Sequence, residues 1–393
     1  MSFLTTNQVK DEKNRERNYG LDLLRIISML MVVVLHIISH GNILEKTNIL
    51  TLTGASVWFL RSLCFCAVNC YALISGYVGI KSRHKYTNII SLWLQVLFYS
   101  VIIALADAFY VFATSGAVNI KSLIKGCFPF LFGQYWYFTA YVCLFFFIPI
   151  LNHIINTVPR QNLKLYSVFA VLIFCGVAVL YDKDIGLQRG CSFTWLAIVY
   201  LIGGYIAKYD PLEKLSCRKS LLAYFVCSLL AFLSVAGVSF ATNIVFGSVR
   251  YANVLFSYNA ITVVGASVFL LNFFKQLKVK PTFEKTISLL AKTSFGVYLI
   301  HENVTIRAHF VKGQFAVLLN YPMVTVLLIV AAALLIYAIC TAIDFLRLGL
   351  FKILRVDKIS AFIEKTVIKI FIVAFNVLHI SLADQTDGND SEL

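Results

Sequence analysis

Long apolar runs separated by short polar punctuation dominate the pattern along this chain. A helix that crosses a bilayer needs about 20 predominantly apolar residues. By that measure the runs predict helices at 21–41, 55–80, 88–113, 135–156, 163–180, 192–207, 220–240, 253–274, 287–303 and 320–346. The runs at 163–180 and 192–207 are short for a span. Residues 116–134 contain Gly126, Pro129 and Gly133 and read as a loop or a re-entrant piece. Beyond the last run, Glu364, Lys365, Lys369, Asn376 and His379 fall near one helical side, with Phe362, Ile370, Phe371 and Val373 elsewhere. That pattern favours an interfacial amphipathic helix over an eleventh span. The closing DQTDGNDSEL reads as disordered, and no repeat of 20–50 residues is visible. The expectation is therefore an all-α, polytopic integral membrane protein with about ten transmembrane helices. Its parts would be an N-terminal segment (1–18), a transmembrane domain (19–346) and a tail (347–393).

Composition agrees. Of 393 residues, 60% are hydrophobic and 13% charged, whereas a soluble domain is nearer half apolar and a quarter charged. The net charge of +15 does not indicate nucleic acid, because the positives sit in short loops between apolar runs, as topology signals beside anionic lipid do. With the N-terminus in the cytoplasm, alternate loops place 23 Lys and Arg inside and 8 outside. This asymmetry supports ten spans over nine or eleven and puts both termini in the cytoplasm, with the cell membrane as location. The start, MSFLTTNQVKDEKNRERN, lacks the apolar core and cleavage site of a signal peptide. Most of the ten cysteines lie inside apolar runs and no CxxC pair occurs. Buried, inert thiols are expected, with no disulfide framework and no metal site.

Polar groups in a membrane core are expensive, so each needs a reason. The first run, GLDLLRIISMLMVVVLHIISHG, is interrupted by Asp22, Arg25 and His36. Arg25 and His36 are eleven residues apart, which returns a helix to nearly the same face about 16 Å further along. Asp22 lies one turn before Arg25 on that face. Such a stripe belongs against a protein-enclosed cavity. It would serve as a fixed cation for an anionic ligand with a histidine base further in, or else as an interfacial ion pair plus a packing histidine. Further along, Lys81, Arg83, His84 and Lys85 form a basic cluster that is either a phosphate contact or a topology signal. Tyr135, Trp136 and Tyr137 would fall at the outer face, as an aromatic belt or as a sugar-stacking surface. His301, Glu302 and Asn303 fall near the same face, with Arg307 and His309 beyond. Ser75 reads better as a small residue for close helix packing beside Gly76 than as a nucleophile.

Four segments in order resemble the acyltransferase 3 family of integral-membrane O-acyltransferases. They are GLDLLR followed by ten residues and a histidine, CYALISGYVG at 70–79, GQYWYFTAYVCLFFFIPIL at 133–151, and TSFGVYLIHENV at 293–304. The resemblance implies transfer of an acyl group, usually acetyl from cytoplasmic acetyl-CoA or another acyl-CoA, to a hydroxyl of a surface polysaccharide or lipid-linked saccharide. No tightly bound cofactor is implied. The implied catalytic set is His36, Arg25 and Asp22. Arg25, Arg83 and Lys85 would bind the donor, and Tyr135, Trp136, His301 and Glu302 the acceptor. A neutral histidine can take the proton from a sugar hydroxyl as it attacks the thioester. A transporter or flippase for an anionic or glycan substrate would also carry a charged cavity among ten helices. Many transporters, however, show internal inverted repeats, and none is visible here.

Overall fold

The computed structural model describes residues 17–116, 120–180, 186–249 and 255–370. Among them every regular element is helical. Twelve helices are named here in chain order: α1 (Tyr19–His40), α2 (Leu52–Cys64), α3 (Ala67–Gly79), α4 (Tyr86–Ser115), α5 (Ile120–Cys127), α6 (Trp136–Thr157), α7 (Arg160–Leu180), α8 (Phe193–Tyr209), α9 (Cys217–Phe246), α10 (Ile261–Lys275), α11 (Pro281–His301) and α12 (Thr325–Ile353). Among the described residues six segments are long and apolar enough to cross a membrane: Tyr19–His40, Leu52–Gly79, Tyr86–Ser115, Trp136–Thr157, Cys217–Phe246 and Thr325–Ile353. α8 and α10 are apolar but shorter. Pro281–His301 carries Glu284, Lys285 and Lys292 in its first twelve residues.

The elements follow the predicted runs, with two corrections. The run at 55–80 is two helices with a break at Phe65–Cys66. No proline or glycine causes it. The Leu63 carbonyl accepts a hydrogen bond from the Tyr224 hydroxyl at 2.9 Å, and a side chain inserted into the ladder in this way interrupts a helix. The run at 253–274 is helical only from Ile261. Ser257, Tyr258 and Asn259 precede it as a turn closed by a Ser257 to Asn259 side-chain hydrogen bond at 2.6 Å, and residues 250–254 lie outside the described residues.

The chain divides into two compact units, residues 1–82 with 134–341, and residues 83–133 with 342–393. In the first unit α1 starts where the Asn18 side chain accepts from the Leu21 N–H at 3.1 Å and so satisfies one of the free N–H groups of a helix start. It is packed by α2, α3, α10 and α11. α3 and α8 pack closely. A Cβ on Gly76 would sit 2.0 Å from the Tyr200 carbonyl oxygen, and one on Gly203 2.3 Å from the Leu73 oxygen, which is the small-residue packing of membrane helices. Ser75 sits beside this seam with its hydroxyl on its own helix, 2.9 Å from the Tyr71 oxygen. Two buried polar pairs join helices. Asn272 donates to Ser220 at 2.7 Å, and the Tyr200 hydroxyl donates to Asn152 at 2.9 Å. The ten cysteines are free thiols.

In the second unit, Asp344 and Arg347 form a buried bidentate ion pair of 2.9 and 2.6 Å. Tyr99 of α4 donates to the same carboxylate at 2.7 Å. Charges of this kind persist in an apolar interior only when paired and hydrogen-bonded. The stretch at 116–134 contains the short helix α5, whose Gly126 lies against Ala104 of α4; residues 117–119 lie outside the described residues. Residues 356–370 form a further helix, tied to the start of α4 by Thr87 N–H to Glu364 at 3.2 Å and Ser91 to Ser360 at 3.0 Å. The rest of the predicted amphipathic segment and the DQTDGNDSEL end fall outside the described residues.

Candidate active site

Asp22, Arg25 and His36 all project from α1. Asp22 is 2% exposed, and its carboxylate accepts from Arg25 Nη1 at 2.5 Å and from Arg17 Nε at 2.5 Å. One buried carboxylate between two guanidiniums leaves net positive charge at this end of the helix. It also restricts the Arg25 side chain, which stays partly exposed. The backbone here is fixed from α3, because the Tyr71 hydroxyl donates to the Arg25 carbonyl at 2.7 Å.

Toward the other end of α1, His36 lies on the wall of a cavity. Met29, one turn beyond Arg25, lies on the same wall, as do Tyr71, Trp136, Tyr258 and Tyr298. The aromatic side is held by a relay. Buried Asn69 of α3 donates to the Tyr258 carbonyl at 2.7 Å and accepts from the Trp195 indole at 3.0 Å. The Tyr258 ring in turn stacks on Phe65 at 4.6 Å and on Trp136 at 6.3 Å between centroids.

Behind His36 stands the end of α11. His36 Nδ1 is 2.9 Å from His301 Nε2 and 3.0 Å from Glu302 Oε2. His301 Nδ1 is 2.6 Å from the Val297 carbonyl oxygen. A carbonyl can only accept, so Nδ1 of a neutral His301 carries the proton and Nε2 the lone pair. His36 Nδ1 must then donate to it, which leaves the lone pair of His36 on Nε2. The tautomer of the cavity histidine is thus set by a backbone carbonyl two partners away. Glu302 is held through its other oxygen by Arg307. His40, one turn beyond His36, brings Nε2 to 3.8 Å from Glu302 Oε2.

The expected residues therefore fall into separate groups. His36, His301 and Glu302 meet; Asp22 and Arg25 form a second group at the other end of α1. His301 is buried, not an exposed interfacial ring. Trp136 lines the cavity, but Tyr135 is 1% exposed. The Tyr135 hydroxyl donates to the Leu299 carbonyl at 3.0 Å and accepts from Asn303 at 2.9 Å, so its place is under the turn that carries His301 and Glu302. Arg83 and Lys85 belong to the second unit, at the start of α4. Sequence reasoning passed over His40, Tyr71, Asn69 and Tyr258. For His40 a signal existed, since spacing of four residues puts it on the His36 face.

A bundle of apolar helices around an aromatic cavity, with one histidine on the wall and a carboxylate behind it, defines a multi-pass membrane protein. The family model of the acyltransferase 3 family, an acyltransferase domain, matches residues 18–344, and the chain belongs to that family: it is a membrane acyltransferase. Comparison with curated proteins and with solved structures gave no match.

Proposed function

We propose that this acyltransferase moves an acetyl group from cytoplasmic acetyl-CoA to a hydroxyl of an extracytoplasmic polysaccharide or lipid-linked sugar, in the cell membrane, with about ten spans and both termini in the cytoplasm. The observation that carries the reading is the hydrogen-bonded state of His36. Its Nδ1 is engaged by His301 and lies beside Glu302, so Nε2 is the nitrogen left to act as base. In the step proposed, Nε2 takes the proton of the acceptor hydroxyl as the oxygen attacks the thioester carbonyl. The C–S bond then breaks, and the CoA thiolate takes the proton back from Nε2. Glu302 offsets the positive charge that the imidazole carries between these two transfers. Trp136, stacked on Tyr258, offers a flat aromatic face to a sugar ring. His301 and Glu302 act on the acceptor side through His36.

At the donor end, Arg25 is held by Asp22 and meets the anionic donor. Arg83 and Lys85 are proposed as phosphate contacts on their charge. Replacing Arg25 by alanine should weaken acetyl-CoA binding more than replacing it by lysine, because lysine keeps the charge and loses the planar fork. The check is calorimetric titration of the purified protein with acetyl-CoA. Equal affinity in wild type and Arg25→Ala would remove Arg25 from the donor site.

The direct test of the reaction uses proteoliposomes with acetyl-CoA on one side and a saccharide acceptor on the other. CoA thiol should be released only when both are present on opposite faces. Sidedness has its own measurement. Cys127 is the exposed one among the ten thiols, so the background is Cys127→Ser. In intact cells Met323→Cys, in the 92% exposed turn before α12, should react with a membrane-impermeant maleimide. Arg83→Cys should not. The reverse pattern would overturn the proposed topology and with it transfer across the membrane.

A further inference from the structure

We infer that His36, His40 and Glu302 form a transition-metal site, and that zinc bound there switches off the chemistry proposed above; the second half rests on that reading and the first does not. The starting observation is an orphaned atom. Glu302 Oε2 is buried and makes no hydrogen bond, although two imidazole nitrogens face it, His36 Nδ1 at 3.0 Å and His40 Nε2 at 3.8 Å. The proton on His36 Nδ1 is committed to His301, as the Val297 carbonyl dictates. A carboxylate oxygen enclosed with nitrogens that do not donate to it is an incomplete polar site, and a cation satisfies all three atoms at once.

The geometry suits a small, tetrahedral ion. The three donor atoms lie within 4.8 Å of one another. Zinc holds nitrogen and oxygen donors at about 2.0–2.1 Å, so tetrahedral neighbours stand about 3.3 Å apart, and the two Glu302 separations bracket that value. His36 and His40 are four residues apart on α1 and so share a face, the arrangement by which a single helix supplies two imidazoles to zinc. The side chains are also oriented from behind. Arg307 holds Oε1 of Glu302, which leaves Oε2 to the ion. His301, with its own Nδ1 on the Val297 carbonyl, keeps an Nε2 lone pair 2.9 Å from His36 Nδ1 and can complete the shell. Two imidazoles and one carboxylate select zinc and its neighbours over magnesium or calcium. The guanidinium of Arg307 opposes a divalent charge, so the site binds reversibly, not as a permanent structural centre.

Occupation has a defined chemical consequence. A metal on Nδ1 of His36 takes the place of the Nδ1 proton, and the neutral ring then carries its one proton on Nε2. Nε2 can then no longer accept a proton from a hydroxyl, and the base is lost while the cavity is intact. The cysteine pattern gave no reason to expect this, since none of the three donors is sulfur.

The test uses the full chain, purified in detergent and stripped with chelator. Zn²⁺ alone is titrated by calorimetry, and Co²⁺ is followed by its visible absorption. Wild type should bind one ion per chain with the ligand-field bands of a four-coordinate N/O site. His40→Ala should bind at least about tenfold more weakly and lose those bands, as should His40→Gln, which serves if the alanine variant does not fold. Equal affinity in wild type and both variants, or a sulfur-to-cobalt charge-transfer band in place of N/O bands, would overturn the site. In the transfer assay, zinc should inhibit wild type, chelator should reverse it, and the His40 variants should keep activity and resist zinc. His40-dependent binding without inhibition would overturn the switch and leave the site standing. Absence of transfer in the metal-free protein would overturn the acyl-transfer reading, while the titrations would still decide the metal site.

Discussion

Replacing His36 by asparagine or glutamine should abolish acyl transfer, lowering the rate by at least about 100-fold, the low end of what a positioned base contributes. The two variants divide the ring's functions. Asparagine places an amide nitrogen near the Nδ1 position and can keep the contact to His301 Nε2; glutamine reaches further toward the Nε2 position. Neither has a basic nitrogen at neutral pH. Both should insert and purify as wild type. The buried face of α1 is made by Leu24, Val33, Ile37 and Ile38, and the His36 side chain is 20% exposed on the cavity side. The measurement is labelled-acetyl transfer by purified protein, with gel filtration to certify the fold. A variant that is monodisperse and keeps more than about a tenth of the rate would take His36 out of the proton transfer. His36→Ala adds a control: the cavity it opens should admit a small imidazole, and rescue by added imidazole would tie the lost rate to the missing base.

The stripe on α1 was legible because it obeys one helix. The spacing of Asp22, Arg25 and His36 fixes their common face before any tertiary contact is known, and Asp22 does hold Arg25. What meets His36 was not legible. His301 and Glu302 lie 265 and 266 residues further on, and the pairing of α1 with α11 is a choice among many helix pairs that periodicity does not constrain. The two residues were therefore read as a separate group on the acceptor side. Tyr135 shows the same limit in reverse. Three consecutive aromatics beside an apolar run suggest a belt or a stacking surface, and for Trp136 the cavity position agrees with a surface. Only the partners of the Tyr135 hydroxyl, the Leu299 carbonyl and Asn303, reveal a buried support.

Helix positions were readable to within a few residues wherever hydropathy changed sharply. The break at Phe65–Cys66 was not, because its cause is a hydroxyl from α9, more than 150 residues away. Asp344 and Arg347 carried a readable clue, a carboxylate and a guanidinium three residues apart at the end of an apolar run. Read as loop charge, Arg347 counted toward topology. Its burial against Asp344, with Tyr99 on the same carboxylate, makes it part of the interior of the second unit.

Glu302→Gln should lower the turnover of acyl transfer by about 100-fold while changing the Michaelis constant for acetyl-CoA little. Glu302 is 6% exposed and stands between the Arg307 guanidinium and His36 Nδ1. In the resting site its charge is matched by Arg307. When His36 gains a proton, the positive charge appears 3.0 Å from Oε2, in surroundings of low dielectric where such proximity counts heavily. Glutamine removes the negative charge and leaves the Arg307 cation facing the same ring, so the protonated intermediate is opposed where it was favoured. Breaking a buried pair also costs stability, which would lower activity for an uninteresting reason. The double variant Glu302→Gln with Arg307→Met separates the two causes. Removing the unmatched cation should restore about tenfold of the lost turnover if the effect is electrostatic on His36. A double variant no faster than Glu302→Gln, with both proteins as heat-stable as wild type, would show that Glu302 does not act through the charge on the histidine.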